Sequence, residues 1–552
     1  MPELGDGAFA YDGAMPSDVA QIPTRPPGPK LLQSAPTWFV PLLLFAGGLF
    51  LSGITILNGV QPNDEGLMLA AAQRIAAGQV PYGDFWWYYP PGQPYLLGGL
   101  SALLGPSLLW WRIVRLLADA TVALLAWRLA RRRTGPYVSL AVWLISICAM
   151  AFPSGPHPSP LALVFSLGAL LLFERRPVWA GVLIGLCFAW RIEFAAYLTV
   201  GIVLALALQV EAPQERIRQI VRVLISAAIV SALIYLPVVA AAGVSRSWDL
   251  LVRYPLEDFS TYQSLPFPHL YQGPLGSLDD WAGSLLPFYM PLTLMITLLS
   301  GLATLAVCFK RNRDWPIIAG SVFSVGMAHY LLVRPDYFHT APLTVMAAVI
   351  AAWAIGGAQA LRPRVSARAW RRNAALCFAA VAALSLTYLI VQGTARRWLQ
   401  ATESVTRLTT PVGVPVRAAA DVAGPLDEVV SYVRANSSPG EPIYVVGKRA
   451  DVTTAGAPLI YVLTERPNPT RYDIAAPGVL TSAPVQREIV SDLQRTQPKL
   501  IVRWNSPTTA APEPNPAGRS SGVRILDRYI AMHYRSLVRY GDWVVLSSRP
   551  LS

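Results

Sequence analysis

The sequence predicts an α-helical membrane protein of about eleven spanning helices with a C-terminal α/β domain outside the bilayer. Three observations predict it. The chain is 53% hydrophobic and only 14% charged, too apolar for an ordinary soluble protein. Apolar segments of roughly 16–25 residues follow one another through the first two thirds. The last third changes character, alternating short β-rich runs with amphipathic helices.

Residues 1–35 are rich in Pro, Gly and Asp without periodicity, and are expected to form a disordered cytosolic tail. Spans are expected at 37–57, 109–130, 137–152, 160–173, 178–190, 194–209, 221–242, 285–308, 315–332, 340–360 and 373–391. With the N-terminus in the cytosol, every inner loop is basic: Arg128/Arg131/Arg132/Arg133, Arg175/Arg176, Arg216/Arg218/Arg222, Lys310/Arg311/Arg313 and Arg362/Arg364/Arg368/Arg371/Arg372. That is the positive-inside pattern. It also explains the net charge of +13 without nucleic acid, because the cations sit in short clusters between apolar segments. The four cysteines all fall in apolar segments and read as small packing residues.

The outer connections carry a different set: Asp64, Glu65, Asp84, His157, Arg191, Glu193, Arg253, Glu257, Asp258, Asp279, Asp280, Arg334, Asp336 and His339. Ionisable groups at membrane depth are costly, and they line polar cavities or pair with one another. Their concentration on one face marks a functional site. The transmembrane unit (36–391) has two long outer loops. In the first, residues 58–108, Asp64 and Glu65 open an amphipathic helix expected to lie in the interface. The acids alone also suit plain capping of that helix, worth roughly 0.3–1 kcal/mol. Trp86, Trp87, Tyr88 and Tyr89 are expected as a headgroup-level aromatic belt, and "QPYLLGGLSALLG" as a second interfacial or re-entrant helix. The second long loop, residues 243–284, mixes aromatics with acids and has the length of a lid. A linker (392–424) leads to the α/β domain (425–552), with helices at "LDEVVSYVRA", "PVQREIVSDLQR" and "VRILDRYIAMHY", strands at "EPIYVVG" and "KLIVRW", and a hairpin at "SLVRYGDWVVLSS".

The Asp-Glu pair after the first span, "AAAQRIAAG", "PY" and the aromatic "PPGQPYL" resemble the first outer loop of the GT-C membrane glycosyltransferases, a superfamily that includes protein O-mannosyltransferases and lipid A aminoarabinose transferases. "WWRIVRLLADATVALLAWRLARRR" and "WAGVLIGLCFAWRIEF" fit the same pattern. The resemblance implies transfer of a sugar from a polyprenyl-phosphate donor to a hydroxyl of a glycan, lipid or protein, on the outer face of the cytoplasmic membrane. Asp64 then matches the catalytic base of an inverting displacement, with Glu65 orienting it or raising its pKa. Aminoarabinose-type relatives carry a phosphate-binding Lys before the Pro-Pro pair, where this chain has Tyr89. Other cations must then serve: Arg112 and Arg115, which also suit snorkelling to headgroups, or Arg191 beside Glu193. Arg334, Asp336 and His339 in "HYLLVRPDYFHTAPL" suit phosphate or sugar binding. Relatives have a second Asp after the third span, where this chain has "FPSGPHPSP" and His157. No cofactor is assigned; a divalent metal at Asp64 and Glu65 stays open. A transporter or flippase of a lipid-linked saccharide is the alternative, but it calls for midplane charges and internal repeats, and neither is visible.

Overall fold

The computed structural model describes residues 36, 38–150, 157–209, 212–268, 288–296, 299, 315–361 and 369–548. The predicted tail, most of the 285–308 span, the Lys310/Arg311/Arg313 cluster, Arg362, Arg364, Arg368, Asp279 and Asp280 lie outside the described residues.

The apolar segments fold into helices α1 (Phe39–Gly53), α4 (Leu109–Arg131), α5 (Pro136–Ala149), α6 (Ser159–Leu172), α7 (Pro177–Trp190), α8 (Ile192–Ala207), α9 (Pro213–Ala242), α10 (Trp315–Val333), α11 (Tyr337–Leu361) and α12 (Ala369–Thr402). Between α1 and α4 the first outer loop folds as α2 (Asp64–Ala76) and α3 (Gly92–Leu104). Three of the helices, Pro213–Ala242, Pro316–Val333 and Phe338–Gly356, are long and apolar enough to cross a membrane. Five others are apolar but of 10–17 residues, short of the roughly 20 that a perpendicular crossing takes. Large apolar side chains face outward, Phe50 71%, Leu233 71% and Leu384 72% exposed, as a lipid solvent permits. Close helix contacts rest on glycine. A Cβ at Gly185 would lie 2.7 Å from the Ala227 carbonyl of α9.

The residues joining α7 to α8 are worth noting. The predicted spans 178–190 and 194–209 are separate helices because Arg191 is extended, φ −148° and ψ 107°. Its side chain lines the cavity described below.

The C-terminal region carries a four-stranded mixed sheet. β1 (Thr406–Arg407) and β2 (Arg417–Ala418) form a small antiparallel pair. The sheet proper is β3 (Tyr444–Gly447), β4 (Leu500–Trp504), β5 (Tyr534–Tyr540) and β6 (Trp543–Ser548), in the order β3-β4-β6-β5. β3 and β4 are parallel and the other pairings antiparallel. The predicted hairpin is β5–β6, and helices form at Ala420–Asn436, Ala483–Thr496 and Ile525–His533, each where the 3.6-residue period was read. A further short helix, Leu459–Thr464, interrupts the path between β3 and Ala483.

Two expectations change. Helix α2 and the aromatic run beyond it pack inside protein rather than lying open to lipid headgroups, while α3 keeps Leu103 and Leu104 exposed. Met68 and Ala72 of α2, and Phe85 and Trp87 beyond it, are buried inside protein. They share one apolar core with Leu459, Ile460, Val462 and Ile474 of the C-terminal region. Polar ties reinforce this: Arg74 bonds both carboxylate oxygens of Asp473 at 2.5 and 3.1 Å, and the Trp86 N–H donates to the Arg471 carbonyl at 2.8 Å. The stretch "VLTERPNPTRY" is part of this seam. The chain from Pro62 to Gly66 is pressed against Gly456–Leu459: the Leu459 N–H donates to the Pro62 carbonyl at 3.2 Å, and a Cβ at Gly66 would meet Leu459 Cα at 2.7 Å. Backbone cannot yield as a side-chain tip can. Gly66→Ala is therefore expected to lower the thermal unfolding midpoint and to expose the seam between α2 and residues 456–464 to limited proteolysis.

Candidate active site

A cavity of ≈ 800 Å³ opens between the helical part and the C-terminal region. Its volume is within the range of small-molecule sites. Asp64, Tyr89, His157, Arg191, Glu193, Arg334, Asp336 and His339 all line it. They come from four separate stretches, the first outer loop, the start of α6, the α7–α8 junction and the α10–α11 junction, and the fold converges them at one place. Glu65, Arg112 and Arg115 do not line it.

Asp64 is the first residue of α2, and its carboxylate faces the cavity. The Asn63 amide donates to its Oδ1 at 2.8 Å. The Asp64 side chain is exposed to the cavity, but the protein around it limits bulk water, and this desolvation pushes its pKa above the ordinary aspartate value; the Asn63 hydrogen bond pulls it down, Asp336 pushes it up and Arg334 pulls it down. Desolvation wins, which favours a carboxylate avid for a proton.

Glu65 sits a residue further on and points away. With Arg112 it makes a two-pronged ion pair, Nε to Oε1 at 2.7 Å and Nη2 to Oε2 at 2.9 Å, both side chains fully buried. Arg112 also donates to the carbonyls of Ile56 at 2.8 Å and Gly59 at 2.7 Å. The helix geometry explains the separation: adjacent residues lie about 100° apart around an α-helix. The expected partnership of Glu65 with Asp64 is thus replaced by one with Arg112, and the Arg112 guanidinium is turned to the loop backbone. Arg115 is likewise buried, 3.4 Å from Asp119 and bonded to the Met150 carbonyl.

Of the two arginines lining the cavity, Arg191 has the fewer polar partners. Nη2 pairs with Glu193 at 2.5 Å, and the guanidinium stands 5.0 Å from the Tyr330 ring. Its Nε is buried without a hydrogen-bond partner, the kind of unmet donor that marks functional sites. Arg334 is more occupied, 3.0 Å from Glu513, 3.4 Å from Asp336 and donating to the Gln263 carbonyl. His339 meets Asp336 twice, ring Nδ1 at 2.7 Å and backbone N–H at 2.9 Å. Burial raises the Asp336 pKa, but His339 and Arg334 outweigh it and hold the carboxyl below its ordinary value. His157 lies 2.6 Å from the Ser159 hydroxyl and stacks on Phe338. Burial, Arg191, His339 and Arg115 push its pKa well below the ordinary histidine value, so it serves as a neutral donor or acceptor. Burial likewise raises the Tyr89 pKa; its hydroxyl stays protonated and accepts from Tyr88 at 2.8 Å.

Several cavity residues were not singled out from the sequence. Asn63 precedes Asp64 in the chain, and Tyr330 lies within the quoted stretch that holds Arg334. Tyr197 and His329 bond to each other at 2.8 Å. Glu513 is the sole acid of the Pro-rich 506–522 loop, a signal that was there to read. The helical segment 249–263 contributes Leu251, Pro255 and Phe259 to the wall, where a lid was expected. Among the described residues no group of three or more His, Cys, Asp or Glu converges for a metal ion, and with Glu65 turned to Arg112 the Asp64–Glu65 pair does not fit one.

No family model and no curated protein matches the sequence. Among solved structures the chain is similar to ArnT from Cupriavidus metallidurans bound to undecaprenyl phosphate, with a TM-score of 0.53 and 14% identity over 94% of this chain and 99% of that one. The archaeal oligosaccharyltransferase AglB from Archaeoglobus fulgidus, in complex with an inhibitory peptide and a dolichol-phosphate, matches at a TM-score of 0.47 and 13% identity, over 84% of this chain and 69% of that one. The likeness to ArnT is one of fold. This chain is mostly helical, shares the fold of that structure and carries a small C-terminal sheet.

Proposed function

We propose that the protein is a membrane glycosyltransferase that moves a sugar from a polyprenyl-phosphate donor to a hydroxyl acceptor, with Asp64 as base. The observation that carries the reading is a single cavity that holds a carboxylate of raised proton affinity and, across it, a buried arginine with an unmet donor. The reaction needs those two groups. Asp64 takes the proton of the acceptor hydroxyl. The oxygen attacks the anomeric carbon, the bond to the phosphate oxygen breaks, and the sugar inverts. The electron pair leaves on the polyprenyl phosphate, already a stable anion that requires no proton donor. Arg191, joined by the neutral Tyr89 hydroxyl and His157, stabilises the departing charge. Arg334, Asp336 and His339, the last beside His157 and Tyr330, hold the sugar or its phosphate. Similarity in fold to a structure holding undecaprenyl phosphate supports the donor class. The basic inner loops support a cytosolic N-terminus in the cytoplasmic membrane, with cavity and C-terminal region outside.

The test is to incubate the purified chain with a panel of undecaprenyl-phosphate-linked sugars and membrane-derived hydroxyl acceptors. Release of undecaprenyl phosphate with an inverted product supports the reading. Turnover of a nucleotide sugar but of no lipid-linked one overturns it. Arg191→Gln is expected to weaken binding of undecaprenyl phosphate by about 10- to 100-fold, as loss of a charge-assisted contact costs about 1.5–3 kcal/mol; direct titration of the lipid measures it.

A further inference from the structure

Asn63 touches two things at once. Its Oδ1 accepts the backbone N–H of Gly456 at 2.9 Å, and its Nδ2 donates to Asp64 Oδ1 at 2.8 Å. An amide N–H can only donate. The Gly456 contact therefore fixes which end of the Asn63 amide is oxygen, and leaves the NH₂ to face Asp64. Gly456 belongs to the C-terminal region, nearly four hundred residues away in sequence. The contact is one of a set: Leu459 N–H to the Pro62 carbonyl and the glycine-only approach at Gly66 pin the same turn. The next residues of that strip, Thr454 and Ala455, face the cavity.

We propose that Asn63 is a positioning residue through which the docked C-terminal region holds Asp64 for catalysis. Gly456 orients the Asn63 amide, the amide engages Oδ1, and Oδ2 is left for the acceptor hydroxyl. The inference rests on Asp64 being the base. It makes the C-terminal region part of the reacting centre rather than an accessory. The groups facing Asp64 besides Asn63 are Asp336 and Arg334 from the α10–α11 junction and Tyr88 and Tyr89 from the first loop. Of these the Asn63 hydrogen bond and Arg334 favour the charged carboxylate, so removing the amide raises the proton affinity of Asp64.

The test needs no substrate. Dicyclohexylcarbodiimide modifies protonated carboxyls in apolar surroundings, and mass spectrometry of the Asp64 peptide gives the pH midpoint of labelling in the full chain in detergent. In Asn63→Ala the midpoint is expected to rise by about one pH unit, so that label at a fixed pH above both midpoints increases about tenfold. Asn63→Asp keeps an acceptor for Gly456 but loses the donor. Its midpoint is expected to rise at least as far, while its thermal unfolding stays closer to wild type than that of Asn63→Ala. A wild-type midpoint in either variant overturns the proposal. If the midpoints move but Asp64→Asn transfers sugar normally, the base assignment falls. If Asp64→Asn is inactive and the midpoints stay put, the positioning role alone falls.

Discussion

Replacing Asp64 by Asn is expected to lower the rate of sugar transfer by about 10²- to 10⁴-fold, the usual contribution of a placed general base. Asn is close to isosteric and still reaches the Asn63 side chain, so the cavity keeps its shape. Binding of undecaprenyl phosphate is expected to persist, because its proposed contacts sit around Arg191. A loss in kcat without a loss of lipid binding identifies an interaction made in the transition state. Equal loss of both points instead to a collapsed site, and full activity removes the base. The pH dependence carries a sign. Desolvation raises the Asp64 pKa above its ordinary value, and only the deprotonated form accepts a proton. Activity therefore falls as pH drops through the raised pKa, so the acid limb of the rate profile lies above the range of an exposed aspartate. An acid limb at the ordinary aspartate value shows instead that Asp64 is not the group that titrates, or that its pKa is not raised.

The second large effect concerns stability. Glu65→Ala leaves the Arg112 guanidinium fully buried and without its counter-charge. Breaking one side of such a pair costs about 3–5 kcal/mol, and the carbonyls of Ile56 and Gly59 compensate only the hydrogen bonds. A large drop in the thermal unfolding midpoint is expected. Glu65→Leu combined with Arg112→Met, which removes both charges and keeps much of the volume, is expected to recover most of it. Activity separates structure from chemistry. If the double variant also recovers transfer, Glu65 has no part in the reaction beyond fixing the start of α2. If stability returns and transfer does not, Glu65 has a chemical role that its orientation away from the cavity argues against.

How much of this was legible in the sequence varies with the physics. Helices followed from apolar segments because lipid-facing and core-facing positions are both hydrophobic, and the apolar runs within the described residues became helices. The strands at 444–447 and 500–504 were legible from local β-branched runs. Eight of the proposed site residues proved to share one cavity, since stranded charges at membrane depth have few places to go. What could not be read was pairing. Nothing local says that Glu65 turns to Arg112 while Asp64 turns to the cavity, although the 100° step between neighbours on a helix makes such a split natural. The burial of Phe85 and Trp87 was missed because an aromatic run suits a headgroup belt and a protein seam equally, and only the long-range packing of residues 459–476 decides between them. Glu513 was passed over because its partner, Arg334, is 179 residues away.

The bond between Arg74 and Asp473 spans 399 residues of chain. A ribosome adding about 5–20 residues per second takes about 20–80 s to cover that stretch. During that interval α2 exists without the surface that covers it, its apolar face unsheltered and Asn63 without Gly456. A nascent or truncated chain thus has most of its helices but no finished reaction chamber. The cavity wall contributed by residues 454–476 can close only after that stretch has been made.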